Sequence, residues 1–405
     1  MKILTIDDQQ LILLPLQKKL AELGYNVKTA NSGSKGIELF KSFQPNLVIV
    51  DVNMPYMSGI DVVRYLNNIK DPSVKVMIMS GNNDEKIILE GYELGIDDYI
   101  KKPVTLNEIA ARIKKLVGLP VNDKLRVQKL DEANRMIRKN CVGVVIPCYN
   151  EEDRLLSEEF ESFVHSNLGY HLCFVNDGST DNTLQVLNKL SEGKEDYISV
   201  YNCEKNGGKA EAVRLGMLHL AKNPDLDYIG FLDADLSTDF KDFDDLVKTI
   251  ENSNYKIVSG SRISRMGANI SKESARQIIS LTINFIIQKI LGMNFKDTQC
   301  GAKIMVKEVV DNTFQEKFIT RWLFDVEIFM RMKKYYKEDV KSLICEQPLK
   351  RWIHADGSKL SMKDSFKIIG QLAHIATHYR KVKKRLKPKK IQFNPVQPPI
   401  IELDN

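Results

Sequence analysis

The sequence lacks the features that mark secreted, membrane-spanning and zinc-binding proteins. It has six cysteines but no C-x-x-C pair, which argues against a structural zinc site or a disulfide framework and fits a reducing cytosol. The longest apolar stretch, residues 278–291, covers about 14 residues and includes Gln288 and Lys289, so it is shorter than the ~20 apolar residues that span a bilayer. Asp7 and Asp8 lie where a signal peptide needs an apolar core. We therefore expect a cytoplasmic location.

The charge is not strongly of one sign, and wholesale disorder is not indicated. The 59 Lys and Arg residues against 53 Asp and Glu residues leave a net charge of +6, which is too mild to indicate a nucleic-acid partner. A hydrophobic fraction of 43% with 28% charged residues is ordinary for a soluble globular protein. At ~100–200 residues per domain, the 405 residues predict two or three domains.

Two regions of the chain repeat one order of elements: an apolar strand, an acidic or glycine-rich turn, and an amphipathic helix. This alternation predicts two α/β domains, each built on a doubly wound parallel sheet. The first ends near Gly118, and the second sheet begins at Val142. The predicted division is 1–118 for the first domain, 119–140 for a linker helix, 141–370 for the second domain, and 371–405 for a basic amphipathic segment and a disordered tail.

The linker helix is predicted from a highly charged segment, residues 121–140. Leu130, Ala133 and Ile137 recur at helical spacing and give this helix one apolar face. A solvated spacer fits the segment, and so does a helix that carries a signal or forms a homodimer.

Three acids follow predicted strands of the first domain: Asp7, Asp8 and Asp51. The carboxyl edge of an open α/β sheet is where ligands collect, and three carboxylates there repel one another unless a hard cation such as Mg²⁺ joins them. A carboxylate beside Mg²⁺ can attack a phosphoryl donor and form an aspartyl phosphate. Ser80 and Lys102 follow two later strands, where they can contact the new phosphoryl group.

Five separated elements of the first domain resemble a response-regulator receiver domain. They agree with that family in order and spacing over residues 1–118: I-D-D at 6–8, D-V-N-M-P at 51–55, Gly59, M-S-G at 79–81 and K-K-P at 101–103. Each acid taken alone could be a helix cap or a turn residue, but the set together indicates the family.

This resemblance implies a flavodoxin-like fold and phosphorylation-dependent signalling. It makes Asp51 the phosphoacceptor for a histidine kinase or other phosphodonor, and it makes Lys102 a contact of the phosphoryl group. The remaining implied roles are Mg²⁺ binding by Asp7, Asp8, Asp51 and the Asn53 carbonyl, and a switch formed by Ser80 and Tyr99.

In the second domain, polar residues again follow predicted strands. Asp177 ends the second strand, where it can accept a hydrogen bond from a base edge. The loop 205–209 opens a helix, so its glycines let the backbone approach a phosphate while Lys209 adds positive charge at the helix N-terminus. Asp233 and Asp235 end an apolar strand on one side of it, which suits a divalent cation bridging a diphosphate. Either motif alone could also be an ordinary turn.

The order of these motifs resembles family 2 glycosyltransferases, which bind nucleotide sugars on a GT-A fold. The resemblance covers about residues 141–370 and rests on P-C-Y-N-E at 147–151, N-D-G-S-T-D-N-T at 176–183, K-N-G-G-K-A at 205–210, D-A-D-L-S at 233–237 and G-S-R at 260–262. Three downstream stretches are similar to the branch that glycosylates polyprenyl or dolichyl phosphate, especially the dolichyl-phosphate glucosyltransferase type: D-T-Q-C-G-A-K at 297–303, R-W-L-F-D-V-E at 321–327 and W-I-H-A-D-G-S-K at 352–359.

The second resemblance implies a metal-dependent transferase with a UDP- or GDP-linked sugar as donor. The implied contacts of the base and ribose are Pro147, Tyr149, Glu151 and Asp177, and those of the diphosphate and its Mg²⁺ or Mn²⁺ are Asp233 and Asp235. Arg262 and Lys303 are the implied contacts of phosphate, from donor or acceptor. The predicted catalytic residues are Asp235, Arg262, Lys303 and Asp297, with Asp325 and Glu327 as further acids near the site. Orienting the two cations through ion pairs is an equal alternative role for Asp297, Asp325 and Glu327.

Other residues near these motifs receive simpler interpretations. Cys148, Cys173 and Cys300 are predicted to be buried apolar residues. Trp322 is predicted to be a packing residue or a wall of an acceptor lid. Ser237 stands where mannose-transferring relatives often carry Gln, which weakens a mannosyl assignment.

The C-terminal part combines an apolar helix face with a basic run. Residues 378–390 hold eight Lys and Arg side chains and no acid, and a basic amphipathic segment is typical of binding to an anionic membrane surface. A solvated tail is the alternative. A lipid-linked acceptor would require contact with the inner face of the cytoplasmic membrane. The predicted apolar face consists of Phe366, Ile369, Leu372, Ala373 and Ala376.

Together these patterns predict a phosphorylation-regulated glycosyltransferase with a polyprenyl phosphate as acceptor. The alternative is a catalytically inactive transferase domain that relays phosphorylation through partner contacts. A DNA-binding regulator is disfavoured because the sequence shows no helix-turn-helix-sized unit or nucleic-acid motif. A processive polysaccharide synthase is disfavoured because the segment 347–352, Q-P-L-K-R-W, is one residue too long for Q-x-x-R-W and the sequence lacks spanning helices.

Overall fold

The structure is a computed structural model that describes residues 1–81, 85–120, 135–262, 269–270, 274–352 and 362–385. It contains two α/β units, in the chain order of the two predicted domains. Three predicted segments fall largely outside these ranges: the linker helix over 121–134, the motif at 352–359, and the tail from residue 386 onward.

The first unit is a five-stranded parallel sheet with helices between its strands. Its elements are β1 (Lys2–Ile6), α1 (Gln10–Glu22), β2 (Asn26–Ala30), α2 (Gly33–Phe43), β3 (Leu47–Asp51), α3 (Gly59–Asn67), β4 (Lys75–Ser80), α4 (Glu85–Glu93), β5 (Asp98–Lys101), the short β6 (Val104–Thr105) and α5 (Leu106–Val117). The order β2-β1-β3-β4-β5 is that of a flavodoxin-like sheet and confirms the predicted fold class. β3 is buried along its whole length because helices cover both faces of the sheet, which explains its almost continuously apolar sequence.

The second unit is larger and is also built on one central sheet. Its elements are β7 (Met136–Cys148), α6 (Ser157–Ser166), β8 (Asn167–Asn176), α7 (Thr183–Ser191), β9 (Ile198–Asn202), α8 (Lys209–Ala221), β10 (Tyr228–Leu232), α9 (Phe240–Glu251), β11 (Ile257–Ser261), β12 (Asn269–Ile270), α10 (Ser274–Leu291), β13 (Ala302–Val306), α11 (Lys307–Thr313), α12 (Phe324–Tyr336), β14 (Ile344–Pro348), β15 (Arg351–Trp352) and α13 (Met362–Arg385). The strand order is β14-β11-β13-β10-β7-β8-β9.

Two strands of this sheet depart from the predicted parallel arrangement, namely β13 and the short β6, which pairs antiparallel with β7. β13 runs antiparallel between β10 and β11, while β7 pairs in parallel with both β8 and β10. The doubly wound character of the second domain is confirmed, with these two antiparallel strands as additions. β13 places the segment 297–303 next to the end of β10, where Asp233 and Asp235 lie.

The linker-helix prediction is wrong for its last residues. Met136 to Asn140 belong to β7, and Ile137 pairs with Val104 of β6 on one side and Leu168 of β8 on the other. Ile137 is fully buried between these strands, so pairing with both domains overrides the helical spacing seen in the sequence. The second sheet therefore begins before residue 141 and includes a strand from the first domain.

The predicted boundary at residue 370 falls inside the continuous helix α13. Leu372 and Ile375 are fully buried, and the helix packs against α10. Ile369 is 40% exposed. The buried face of α13 therefore differs from the predicted apolar face, which placed Ile369 and Leu372 together. Because the helix packs against α10, α13 is an integral part of the second domain.

The two domains share one hydrophobic core. Leu11 of α1 belongs to the same buried cluster as Leu168 of β8 and Leu226 of the loop before β10. Cys148, Cys173 and Cys300 are buried and free, as predicted. Along the described ranges, every helix is too short or too polar to cross a membrane.

Candidate functional site

The carboxyl edge of the first sheet brings the predicted phosphorylation residues together. Asp7 follows β1, Asp51 ends β3 and Ser80 ends β4, and their exposed fractions are 1%, 4% and 0%. Gly59 allows the loop after β3 to close tightly, because a Cβ atom there would lie 2.1 Å from the Asp51 carbonyl oxygen. This close approach explains why glycine follows D-V-N-M-P.

Lys102 lies between the two buried carboxylates. Its Nζ is 2.9 Å from Asp7 Oδ2 and 2.7 Å from Asp51 Oδ1. Burial raises the pKa of Asp7, Lys102 opposes this, and the charge of Asp51 adds to it. Although burial opposes its charge, the two carboxylates hold the pKa of Lys102 above its ordinary value. Lys102 therefore contacts the predicted phosphoacceptor directly, which is compatible with its predicted contact with a phosphoryl group.

The predicted switch residues are in direct contact. The hydroxyl group of Tyr99 is hydrogen-bonded to Ser80. Burial raises the pKa of Tyr99, which is half-buried beside the end of β4. A change at Ser80 would therefore reach Tyr99 without an intermediate residue.

The other predicted Mg²⁺ ligands lie at the same edge. Asp8 is half-buried, and burial raises its pKa, with the charge of Asp51 contributing. The backbone N–H of Asn53 donates to Asp51 Oδ2 at 2.7 Å. Within the described part of the chain, no group of three or more His, Cys, Asp or Glu side chains is arranged as a metal centre. The predicted Mg²⁺ site stays a prediction.

In the second domain, Asp177 organises the glycine loop that opens α8. Its Oδ1 accepts from Gly207 N at 2.8 Å and its Oδ2 accepts from Gly208 N at 2.9 Å. Gly208 has a φ of +85°, a conformation that favours glycine. Asp177 is only 3% exposed, so its main visible role is to shape the loop. Its predicted contact with a base edge stays a prediction.

Lys209, the first residue of α8, forms an ion pair with Asp233. Burial opposes the charge of Lys209, but Asp233 raises its pKa above the ordinary value. Gly301 is required on the opposite side, because a Cβ there would lie 1.9 Å from Asp233 Oδ2. The fold thus brings the helix N-terminus and the acid after β10 into contact, a pairing that the sequence did not predict.

A turn, and not strand alternation, places the D-x-D acids. β10 ends one residue before Asp233, and the backbone N–H of Ser237 donates to Asp235 Oδ1 at 2.9 Å. The prediction that strand alternation places both acids on one side is therefore wrong, because both acids lie after the end of the strand. Burial raises the pKa of the nearby Glu151, and the charges of Asp235 and Asp233 contribute. These carboxylates form one acidic group next to Lys209.

Two further predicted contacts lie on the same side of the sheet. Pro147 is near the end of β7 and pairs with Val175 of β8, and Tyr149 follows with 43% of its surface exposed. Tyr149 is available to a ligand, whereas Pro147 is only partly accessible. Their roles at a base or ribose stay predictions.

Arg262 and Asp297 form a two-pronged ion pair. Arg262 Nε donates to Asp297 Oδ2 at 2.7 Å, and its NH2 donates to Oδ1 at 2.8 Å. Although burial opposes ionisation of Asp297, Arg262 lowers its pKa to about 2. The side chain of Arg262 keeps 27% exposure, so it can still meet a phosphate. Asp297 therefore orients the guanidinium group of Arg262, which is the alternative to catalysis that the sequence left open.

The prediction that Lys303 grips a phosphate is contradicted. Lys303 is 0% exposed in β13, and its Nζ donates to the carbonyl oxygens of Thr298 at 3.0 Å and Cys300 at 2.7 Å. The same Nζ lies 2.6 Å from Asp325 Oδ1. The ammonium group of Lys303 therefore makes its three contacts within the protein. Lys303 holds the segment 298–300 in place beside Asp233.

Glu327 also has a structural role. It is fully buried and accepts from the backbone N–H groups of Ile319 and Thr320, both at 3.0 Å. The hydroxyl group of Tyr379 on α13 donates to it at 3.3 Å. Glu327 thus fixes the loop before Arg321 and connects that loop to the C-terminal helix.

Sequence reasoning missed the exposed part of this loop. Trp322 is 66% exposed, so the packing interpretation is wrong and the surface-wall interpretation remains. The side chain of Arg321 lies next to Gly208, where a Cβ would be 3.1 Å from Arg321 Cδ. The R-W pair in the motif at 321–327 was the available signal, but its exposure could not be read from the sequence.

Two family models match the chain. The response regulator receiver domain matches residues 3–114, and glycosyl transferase family 2 matches residues 143–314. A dolichyl-phosphate beta-glucosyltransferase of Dictyostelium discoideum is 31% identical over 233 residues, which cover 54% of this chain and 68% of that protein. The chain belongs to glycosyltransferase family 2. The glycosyltransferase uses a nucleotide sugar as donor, and its receiver domain implies a phosphodonor.

Two other proteins are similar to parts of the chain. A second dolichyl-phosphate beta-glucosyltransferase, from Trichomonas vaginalis, is 30% identical over 59% of the glycosyltransferase and 74% of that protein. A protein of Cyanophora paradoxa named as a probable transcriptional regulator is 34% identical over 34% of this chain and 56% of that protein.

Two solved structures are similar to separate parts of the glycosyltransferase. A response regulator receiver domain protein from Clostridium thermocellum is 32% identical, covers 29% of this chain and 93% of that chain, and has a TM-score of 0.28. Glucosyl-3-phosphoglycerate synthase from Mycobacterium tuberculosis is 17% identical, covers 59% of this chain and 80% of that chain, and has a TM-score of 0.44.

Proposed function

We propose that the glycosyltransferase transfers glucose from a nucleotide sugar to a polyprenyl phosphate, under control of phosphorylation at Asp51. The observation that carries the transfer is the contact between Lys209 at the N-terminus of α8 and Asp233 after β10. A helix N-terminus with a lysine suits the diphosphate of the donor. Relatives that are 30–31% identical are named dolichyl-phosphate beta-glucosyltransferases, which supports glucose and a lipid-linked phosphate.

The residues beside this contact fit a divalent cation. Asp233 and Asp235 offer carboxylate oxygens, which Mg²⁺ and Mn²⁺ prefer. Glu151 lies near them: burial raises its pKa, and the charges of Asp235 and Asp233 raise it further. Crowded carboxylates are stabilised when a cation joins them. Asp233 and Asp235 would hold the metal, which would supply charge neutralisation to the departing diphosphate. In the structure, the ammonium group of Lys209 partly neutralises the carboxylate of Asp233.

A phosphate acceptor needs positioning more than deprotonation. A phosphate monoester is already anionic near neutral pH, so cations that orient it contribute more than a general base. Arg262 is partly exposed, and Arg321 is exposed on the loop beside Gly208. Both are available to an anionic acceptor, whereas Lys303 is not.

The first test measures donor turnover by the purified full-length chain. UDP- and GDP-linked sugars are supplied with Mn²⁺ or Mg²⁺, first alone and then with short polyprenyl phosphates. We expect release of nucleoside diphosphate with one UDP- or GDP-linked glucose, and product formation only with the lipid phosphate. Absence of binding and turnover with every donor would favour the catalytically inactive relay instead.

Matched variants give this test its specificity. Asp235→Asn keeps the turn geometry but removes a charge, and we expect kcat to fall by about 10²–10³-fold, the usual loss when a key electrostatic contact is removed. Asp311→Asn changes an exposed acid elsewhere in the same domain and serves as the control. Equal losses in both variants would contradict a role for D-x-D.

Control by phosphorylation is tested on the same reaction. A small phosphodonor is expected to change the rate of sugar transfer by the wild-type chain and to leave Asp51→Ala unchanged. The buried position of Asp51 beside Lys102 supports its role as phosphoacceptor. Equal rates in the wild-type chain with and without the phosphodonor, at full phosphorylation, would contradict the control.

A further inference from the structure

One strand joins the two functional sites. β7 begins at Met136 beside the receiver domain and ends at Cys148, directly before Tyr149 and Glu151 of the donor site. At ~3.3 Å per residue its 13 residues span about 40 Å. Because β7 lies between β8 and β10 near the centre of the sheet, a displacement at its first residues can reach the nucleotide end through a single element.

Lys139 of β7 packs against Gly81 of the receiver domain, next to the predicted switch residue Ser80. A Cβ atom on Gly81 would lie 2.5 Å from Lys139 Cγ and 3.3 Å from both Cδ and Cε. Gly81 is the residue after Ser80, which ends β4 and contacts Tyr99. The aliphatic stem of a transferase lysine therefore packs on the segment that carries the predicted switch residue.

β7 is irregular at the same place. Its register with β8 shifts between Ile137 and Val142, and such bulges bend a strand and leave part of it unpaired. Three buried polar atoms around the bulge lack a hydrogen-bond partner among the described residues: Arg138 Nε, Asn140 Oδ1 and Glu251 Oε1. Unpaired buried polar groups are unfavourable, so a rearrangement of this segment that pairs some of them would recover part of that cost.

A phosphoryl group on Asp51 requires a change next to Lys139. Asp51 and Ser80 are 4% and 0% exposed, so little free space surrounds them. Val52 N donates to Met79 O at 2.9 Å, which connects the end of β3 to the end of β4. We therefore expect the added group to displace the end of β4, and Gly81 with it.

We propose that Lys139 and the bulge of β7 transmit the phosphorylation state of Asp51 to the nucleotide-sugar site, an inference that rests on the proposed control by Asp51. Movement of Gly81 displaces the stem of Lys139, and the bulge changes its arrangement. The carboxyl end of β7 then shifts Tyr149 and Glu151 relative to the glycine loop, which alters donor binding. Lys139 is a positioning residue, since it lies at the far end of the sheet from the donor site.

The experiment compares unphosphorylated and phosphorylated full-length chain. Acetyl phosphate transfers its phosphoryl group to an Asp51 carboxylate oxygen and leaves as acetate, and intact mass gives the phosphorylated fraction. In the wild-type chain we expect kcat/KM for the donor to differ about fivefold between the two states, mainly through KM, at the low end of common coupling strengths. Lys139→Ala should be phosphorylated normally but show a ratio near one. Lys139→Met keeps the stem without the charge and should keep the wild-type ratio.

The possible outcomes separate this inference from the proposed control. A wild-type ratio of one, with Asp51 phosphorylated, would overturn both. A wild-type ratio different from one that persists in Lys139→Ala would overturn the inference alone. Hydrogen exchange gives a second readout: phosphorylation should change exchange at the amides of residues 140–142 in the wild-type chain and in Lys139→Met, but not in Lys139→Ala. Unchanged exchange there in the wild-type chain would also overturn the inference.

Discussion

At the residue scale, the charged side chains of the transferase site pair with one another. The sequence predicted their types and approximate positions, because motifs such as D-x-D and G-S-R carry them. It could not predict the partners, since each pair joins residues from separate strands and loops that only the folded sheet brings together. The pairs are Lys209 with Asp233, Arg262 with Asp297, and Lys303 with Asp325.

Lys303 gives the sharpest distinction between binding and structural roles. Lys303→Met removes one partner of a buried ion pair and leaves Asp325 without its counter-charge, so we expect the free energy of unfolding to fall by about 3–5 kcal/mol. Urea unfolding measures this change. The double variant Lys303→Met with Asp325→Leu is the control, and it should recover much of the loss because no lone charge remains. A phosphate-binding role would instead raise the donor KM and leave stability unchanged.

The pair of Arg262 and Asp297 predicts a pH dependence of stability. The folded-state pKa of Asp297, about 2, lies below its ordinary value of 3.8. The contribution of this carboxylate to stability is therefore fully present above about pH 4 and is lost as the pH falls towards 2. Urea unfolding from pH 6 to pH 3 should show wild type and Asp297→Asn converging below pH 4. Asp311→Asn should run parallel to wild type, and a wild type that diverges from Asp297→Asn at low pH would contradict the argument.

At the scale of elements, sequence patterns predicted the secondary structure correctly where an element packs within a single domain. The apolar strands of the first sheet were readable because helices bury both of their faces. The pattern failed at Met136–Asn140, where pairing of Ile137 with Val104 and Leu168 replaces a helix by a strand. The local spacing carries no information on partners from another domain, so this junction could not be predicted.

Helix α13 offers a matched pair of substitutions, because the predicted apolar face divides into an inner and an outer part. Leu372 is fully buried, so Leu372→Ala should lower the free energy of unfolding by about 2–5 kcal/mol. Ile369 is 40% exposed, so Ile369→Asp should leave stability nearly unchanged. If α13 lies on anionic membranes, Ile369→Asp should weaken co-sedimentation with anionic vesicles. Equal vesicle binding by Ile369→Asp and wild type would exclude this face as the contact.

At the scale of the whole molecule, the two sites lie at opposite ends of the transferase sheet. The acidic edge of the receiver domain faces the loop before β10, where Gln9 Nε2 donates to Asp227 Oδ2 at 2.8 Å. Asp177 and Asp233, which are predicted to contact the donor, follow the carboxyl ends of β8 and β10. Among the described residues, the receiver domain contacts the end of this sheet opposite Asp233, so we expect the proposed control of transfer to pass through the sheet or its junction. The fold class of both domains was predictable from motifs, but this orientation was not.

The same junction makes the domains interdependent in stability. Asp225 of the transferase domain caps the receiver helix α1, since its Oδ2 accepts from Gln10 N at 2.9 Å, and Leu226 lies in the shared core. Asp225→Ala removes the cap and should lower the free energy of unfolding by about 1 kcal/mol, whereas Asp225→Asn can still cap and should change it little.

Both tryptophans lie in the transferase domain, so their fluorescence follows that domain while circular dichroism follows the whole chain. The two signals should give coincident urea transitions that shift together in Asp225→Ala, because the shared core couples the domains. A separate, earlier transition of the receiver domain, with the fluorescence midpoint unmoved, would show that the junction carries too little stability to couple them.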